Sequence, residues 1–312
     1  MIPPTPRLPE ARTLIDTDRY FVVHAPRQTG KTTGLRTLAS ELTAERDIAA
    51  LAFSCERAKV AGDDYAAAES ILLQSIREAA ERSGWPKKLL PPDPWPQATP
   101  GTRFGTGLSA WCRRSPRRIV LLFDEIDALQ GNSLVSFLCQ LRDGHNARPD
   151  GHPFPASVIL CGLRDVRDYK TAVGADPGRC NPTSPFNIVT KSLRLGDFTA
   201  YQIGELYGQH TEATGQEFTK DAVERVFELT QGQPWLVNAV AHEITFEMGG
   251  DRRRHRRAGG RGQGTVDQGA RRPPGLPGRA VARAPGQAGD GTDRGRRPLH
   301  RLRLVRRSVL RP

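Results

Sequence analysis

The chain has 312 residues, a formal net charge of +12 and 37% hydrophobic residues. That length suits one large domain and a smaller one, with enough buried surface to be stable without disulfide bonds or bound metal. The five cysteines lack a Cys-x-x-Cys spacing, which argues against a zinc site and a disulfide framework. No apolar run has the length of a signal peptide or a membrane span, so we expect a cytoplasmic location and no membrane partner.

The excess of positive over negative charge is confined to the C-terminal tail. Residues 251–312 hold 18 of the 46 Lys and Arg residues and 4 of the 34 Asp and Glu residues. The first 250 residues therefore hold 28 basic and 30 acidic side chains, a net charge of −2. A role in nucleic-acid binding, which the total charge would suggest, applies only to the tail.

The N-terminal half begins with a segment rich in proline, residues 1–18, which we expect to be extended or loop-like. Tyr20 to Val23 then predicts a short buried strand, and Lys31 opens a helix after a tight loop. Loop amides and the positive end of a helix form a cradle for anions, in which a lysine reaches the outer phosphates.

The loop has the spacing of the P-loop motif, with Ala25 at the position usually taken by the first glycine. Lys31 is predicted to bind phosphate and to act in catalysis, and the Thr32 hydroxyl is predicted to bind Mg²⁺. A chance turn of small and polar residues is the alternative. The predicted nucleotide-binding residues of the loop are Ala25, Pro26, Arg27, Gln28, Thr29, Gly30, Lys31, Thr32 and Thr33.

Periodicity predicts further elements before the next motif. We expect helices over 33–45, 63–82 and 103–114 and a strand over 48–53. The proline-rich stretch 84–102 is predicted to be an exposed connection or insertion. Its Trp85 and Trp95 either anchor a partner or pack onto the domain's own surface.

A second motif follows a run of five apolar residues, Ile119 to Phe123, which predicts a central parallel strand. Ligands of such sheets lie beyond the carboxyl ends of the strands. Asp124 is predicted to hold Mg²⁺ through water, and Glu125 is predicted to orient and deprotonate the attacking water. A solvated acidic turn is the alternative, but the P-loop spacing upstream favours a Walker B motif.

The remaining elements complete an α/β core and a helical lid. A helix over 131–144 and strands over 156–162 and 189–195 are predicted to finish the core, residues 1–196. Three helices, over 199–214, 219–229 and 236–248, form the predicted lid, residues 197–250. The turn Gln231-Gly-Gln-Pro-Trp235 places a proline at the start of the third helix.

These motifs resemble those of bacterial P-loop ATPases of the AAA+/STAND-like group over residues 15–248. The resemblance rests on Ala25 to Thr32, Leu121 to Asp127, and Gly232 to Trp235. It implies a three-layer P-loop fold with a five-stranded parallel sheet, in which the Walker B strand lies between the neighbours of the P-loop strand. It also implies bound ATP and Mg²⁺, and a nucleotide-driven switch or motor that acts on DNA or on proteins.

The resemblance also implies roles for individual residues of this chain. Pro234 and Trp235 are implied as nucleotide sensors in the lid. The strand over 156–162 lacks the polar residue that usually senses the γ-phosphate. Arg164 is the nearest residue that could bind an anion. The alternative is that Arg164 is a surface arginine without a role at the site. Residues 12–19 either line an adenine pocket or form a surface arm.

The tail 251–312 allows three interpretations. It is a disordered nucleic-acid-binding tail, an unpacked segment, or the product of a change of reading frame near Gly250. Its 18 arginines without a lysine favour the last, as does a neighbouring frame in which synonymous codons permit a helical pattern. DNA sequencing tests this hypothesis, because early stops throughout the neighbouring frame would exclude it.

The sequence thus predicts an ATP-binding and ATP-hydrolysing protein. The alternatives are a nucleotide-gated binding module with little turnover, a nucleic-acid-binding protein that uses its tail, and a small-molecule kinase. GTP is disfavoured because no Asn-Lys-x-Asp motif occurs. DNA, another protein and a second copy of the chain are the candidate partners besides ATP.

Overall fold

The structure is a computed structural model that describes residue 2 and the ranges 5–163 and 188–248. Arg164 and the tail 251–312 lie outside the described residues, so the predictions made for them stay predictions.

Within the described ranges, five parallel strands form one sheet in the order β2-β3-β4-β1-β5. The P-loop strand β1 lies between β4 and β5, whereas the Walker B strand β3 lies between β2 and β4. The expectation that β3 lies between the neighbours of β1 is therefore wrong, because β4 separates the two strands. The strands are β1 (Tyr20–His24), β2 (Ile48–Ser54), β3 (Arg118–Asp124), β4 (Ser157–Gly162) and β5 (Val189–Arg194).

Helices cover both faces of this sheet, which gives the predicted three layers. Successive strand residues face opposite cores: Leu121 and Phe123 pack on one side, Val120 and Leu122 on the other. One core includes α3 (Tyr65–Arg82), α4 (Arg103–Arg114) and α5 (Gly131–Asn146), and the other includes α1 (Ala11–Asp16) and α2 (Lys31–Ala44). All strand carboxyl ends therefore meet at one edge, where the two motifs lie.

The N-terminal segment is more ordered than its prolines predict. Thr5–Arg7 forms a short 3-10 turn and Ala11–Asp16 is helical, with Ile15 fully buried. Arg12 forms ion pairs with Asp16 and with Glu45, which follows the last residue of α2. Since α2 is about 20 Å long and begins at the P-loop, Arg12 lies far from that loop. The expectation of an adenine-pocket role is therefore wrong for Arg12.

The proline-rich stretch 84–102 covers α3 and α4 rather than extending into solvent. Trp85 and Trp95 both lie 6.4 Å from Trp111, measured between ring centroids. The indole Nε1 of Trp111 donates to the Leu89 carbonyl at 2.9 Å, and Leu89 is buried. The prediction of an exposed connection is wrong for these apolar residues, which pack onto the domain's own surface.

The lid consists of three helices and has a core of its own. They are α6 (Ala200–Thr214), α7 (Lys220–Thr230) and α8 (Pro234–His242), and a π-helical turn, Glu243–Met248, follows α8. Thr199 and Gln202 form a capping box that starts α6. The Tyr207 hydroxyl donates to the Val237 carbonyl at 2.9 Å, which ties α6 to α8. None of the helices in the described ranges combines the length and apolar character that a membrane span needs.

Candidate functional site

The P-loop connects β1 to α2 and has the backbone shape that binds anions. Gln28 and Gly30 have φ values of 63° and 80°, so the chain turns sharply before α2. Gly30 precedes the first helical residue and has no side chain that could cap the helix. The first backbone amides of α2 are therefore available to donate to a ligand. Ala25 lies outside the positive-φ region, so its position tolerates a Cβ where the motif usually has glycine.

Two side chains hold the loop in this shape. The Thr29 hydroxyl donates to the Pro26 carbonyl at 3.0 Å, and Thr29 is 1% exposed. The Lys31 ammonium donates to the Ala25 and Pro26 carbonyls at 2.8 and 2.7 Å. Lys31 therefore lies folded over the loop, with its charge next to the amides that would receive phosphates.

Thr32 and Asp124 meet across the sheet edge as the two motifs predict. The Thr32 hydroxyl donates to Asp124 Oδ2 at 2.5 Å, although 92 residues separate them. Asp124 is 4% exposed, and its Oδ1 accepts the Glu125 amide at 3.0 Å. A hydroxyl and a carboxylate are hard oxygen ligands, so the pair fits Mg²⁺ held jointly with phosphate oxygens. No cluster of three or more His, Cys, Asp or Glu side chains suited to a metal ion occurs in the described ranges.

Glu125 projects from the end of β3 toward the end of β2. Its backbone is left-handed, with φ 57° and ψ 42°, an uncommon conformation for a residue with a side chain. The Ser54 hydroxyl donates to Glu125 Oε2 at 2.5 Å. Ser54 pairs in register with Asp124, so β2 brings this hydroxyl beside the carboxylate. One oxygen of the predicted base is thus already hydrogen-bonded.

Two buried cysteines border Asp124. Burial raises the pKa of the Cys161 thiol well above its usual range, and the neighbouring Asp124 carboxylate, to which Cys161 is hydrogen-bonded, raises it further. Burial, followed by Asp124 and Glu125, also raises the pKa of the Cys55 thiol. Both side chains are therefore neutral thiols at neutral pH, and Cys161 occupies the strand end where a polar sensor was expected.

Comparison with known proteins identifies the family to which the chain belongs. The AAA domain family matches residues 15–169, a range that contains the P-loop, Asp124 and Glu125. The chain belongs to the AAA+ family of P-loop ATPases. It is therefore an ATP-binding protein by family. No curated protein is significantly similar to the sequence.

Solved structures match the chain at low sequence identity, and the first of them shows the same fold. A Walker-type ATPase of Pyrococcus abyssi matches with a TM-score of 0.52 and 16% identity, over 81% of this chain and 76% of that one. Cdc6p of Pyrobaculum aerophilum matches with a TM-score of 0.47 and 14% identity, over 74% of this chain and 56% of that one. The Orc1 protein of Aeropyrum pernix in complex with DNA matches with a TM-score of 0.47 and 15% identity, over 80% of this chain and 62% of that one.

In the lid of this AAA+ protein, the turn that precedes α8 packs against Phe198 at the start of the lid. Pro234 is buried as the first residue of α8, and Trp235 is 36% exposed. The Phe198 amide donates to the Gly232 carbonyl at 2.8 Å, so the turn lies against the start of the lid. The sensor roles of Pro234 and Trp235 stay predictions, as does that of Arg164, which lies outside the described residues.

Two residues of the AAA+ site have no role among the predictions made from the sequence. Ser54 ends β2 and holds Glu125, and Arg7 donates from its Nη2 to the Thr29 carbonyl at 2.8 Å. A polar residue at the end of an apolar strand run is a signal that points to Ser54, because strand ends converge at one edge. Arg7 lies between prolines and carries no comparable signal.

Proposed function

We propose that this protein binds MgATP at the P-loop, hydrolyses it, and changes the position of its lid with nucleotide state. The observation that carries the proposal is the convergence of Thr32, Asp124 and Glu125 at the carboxyl edge of the sheet, beside Lys31. A phosphate cradle, an oxygen pair for Mg²⁺ and a carboxylate that can accept a proton are the parts that phosphoryl transfer to water requires.

Each residue has one task in this proposal. The amides of residues 28–32 and the Lys31 ammonium bind the β- and γ-phosphates. Thr32 and Asp124 hold Mg²⁺, which neutralises charge on the phosphates when it is bound. Glu125 orients a water and accepts its proton at the carboxylate, once its oxygen is free of the Ser54 hydroxyl.

Replacing Lys31 with Ala tests nucleotide binding. We expect ATP affinity to fall about 100-fold, because two charge-assisted contacts to phosphate oxygens are lost. A fluorescent-ATP titration with Mg²⁺ measures the affinity, with Lys59→Ala as the control since Lys59 is an exposed lysine outside the site. Unchanged affinity in Lys31→Ala at a normal thermal unfolding midpoint would show that the P-loop assignment is wrong.

Phosphate release separates this proposal from a nucleotide-gated binding module. The hydrolysing protein releases phosphate in proportion to time at saturating ATP, whereas a binding module binds ATP tightly without measurable release. The assay is run with the protein alone and with added DNA, because an increase with DNA would identify nucleic acid as the partner. A kinase would transfer phosphate to an added acceptor rather than to water.

Replacing Ser54 with Ala is expected to raise basal turnover about fivefold, because Glu125 loses a hydrogen bond worth roughly 1 kcal/mol that competes with water. The ATP affinity should stay unchanged, since Ser54 contacts the carboxylate and not the loop. Ser40→Ala, an exposed serine on α2, is the control. Reduced turnover in Ser54→Ala would mean that Ser54 positions Glu125 for catalysis instead of restraining it.

A further inference from the structure

Arg7 joins the P-loop to the chain segment that enters the lid. Its Nη2 donates to the Thr29 carbonyl at 2.8 Å, and its Nε donates to the Gly196 carbonyl at 2.8 Å. Arg7 is 9% exposed, so both hydrogen bonds are shielded from solvent. A planar guanidinium can hold two carbonyls in a fixed relative position, which a single ammonium cannot do.

The contacts of Arg7 continue into the lid. Its Cζ lies 4.8 Å from the centroid of the Phe198 ring, a cation–π distance. The Phe198 amide donates to the Gly232 carbonyl, and Gly232 lies in the turn that precedes α8. A continuous path of contacts therefore runs from Thr29 through Arg7 and Phe198 to Gly232.

The surrounding N-terminal residues pack on both units. Ile2 belongs to the apolar core of the lid, together with Ile203 and Tyr207. Leu8 belongs to the core beneath α2. Arg7 thus lies where the segment crosses from lid to ATPase core, and a movement of the lid must either carry the guanidinium along or break its hydrogen bonds.

Burial of the Arg7 charge is unfavourable unless its partners compensate. Burial lowers the pKa of Arg7, and the nearby Asp197 opposes that effect. The two acceptors are the backbone carbonyls of Thr29 in the P-loop and of Gly196, the last residue before the lid, so the favourable contacts exist only while the loop and the entrance to the lid keep their relative positions. This makes the contact sensitive to relative movement of the two units.

We propose that Arg7 is a positioning residue that transmits the state of the P-loop to the lid. The inference rests on the proposed function, because a nucleotide at the loop is the event to be transmitted. When phosphates order the loop, the Thr29 carbonyl becomes fixed, and Arg7 fixes Gly196 and Phe198 in turn. Without the guanidinium, the nucleotide orders the loop alone.

Hydrogen exchange of the full chain tests this proposal with MgAMP-PNP, a non-hydrolysable ATP analogue. In the wild type, we expect the analogue to slow exchange both in residues 26–33 and in residues 195–200 and 232–242. In Arg7→Ala, we expect the slowing at 26–33 to persist and the slowing at 232–242 to be lost, with affinity weakened by roughly tenfold at most. Arg12→Ala, which removes an exposed arginine of the same segment, should behave as the wild type.

The outcomes separate this inference from the proposed function. Equal slowing at 232–242 in Arg7→Ala and wild type would overturn the role of Arg7. Slowing confined to 26–33 in the wild type would also overturn it, while leaving nucleotide binding intact. No slowing at 26–33 in the wild type would overturn the proposed function and this inference with it.

Two further variants keep the test independent of folding defects. Arg7→Lys keeps the charge but not the paired geometry, so we expect it to resemble Arg7→Ala in the lid. Phe198→Leu removes the ring and leaves both carbonyl contacts, so we expect partial loss of the slowing at 232–242. Full slowing in both variants, at wild-type unfolding midpoints, would contradict the proposal.

Discussion

Replacing Glu125 with Gln is expected to lower ATP turnover by about 100- to 10,000-fold while leaving ATP affinity nearly unchanged. The amide keeps the size of the side chain and can still accept from the Ser54 hydroxyl, but it cannot take a proton from water. Phosphate release under saturating MgATP measures turnover, and a fluorescent-ATP titration measures affinity.

The control for this variant is Glu56→Gln, the same chemical change at an exposed position just beyond β2. It should leave turnover and affinity at wild-type values. If Glu125→Gln released phosphate at the wild-type rate, Glu125 would not be the base. The acidic pair would then serve only to hold Mg²⁺ through Asp124.

The elements around the site that the sequence predicts correctly are continuous in the chain. Tyr20 to Val23 is followed directly by the loop and by α2, so one short stretch specifies strand, turn and helix together. Ile119 to Phe123 likewise places Asp124 at the end of a buried strand. The Thr32–Asp124 hydrogen bond then follows, because the carboxyl ends of parallel strands share one edge.

The parts that were missed depend on contacts between distant segments. Apolar runs do not specify the order of parallel strands, so the position of β4 between β1 and β3 has no signal in any single run. Prolines predict local chain shape but not packing, and Leu89 is buried in the same apolar core as Trp111, whose indole donates to the Leu89 carbonyl. Arg7 contacts Gly196 across 189 positions, beyond the reach of any periodicity.

Replacing Gly232 with Ala is expected to displace the turn before α8 from the residues at the start of the lid. A Cβ at this position would lie 1.8 Å from the Phe198 carbonyl oxygen and 2.8 Å from its carbon. Both are backbone atoms, so the clash is relieved only if the chain moves and the hydrogen bond between Phe198 and Gly232 breaks. The φ of 73° adds strain for any residue with a side chain.

Gly215→Ala is the matched control, because Gly215 has a φ of 74° and no heavy atom within 4 Å of an added Cβ. It therefore carries the backbone strain without the clash and should cost about 1 kcal/mol of unfolding free energy. Gly232→Ala should cost at least about 2 kcal/mol more, seen as faster hydrogen exchange in α6 and α8. Equal exchange in the two variants would show that Phe198 yields easily, and a contact that yields so easily could not transmit a loop movement to the lid.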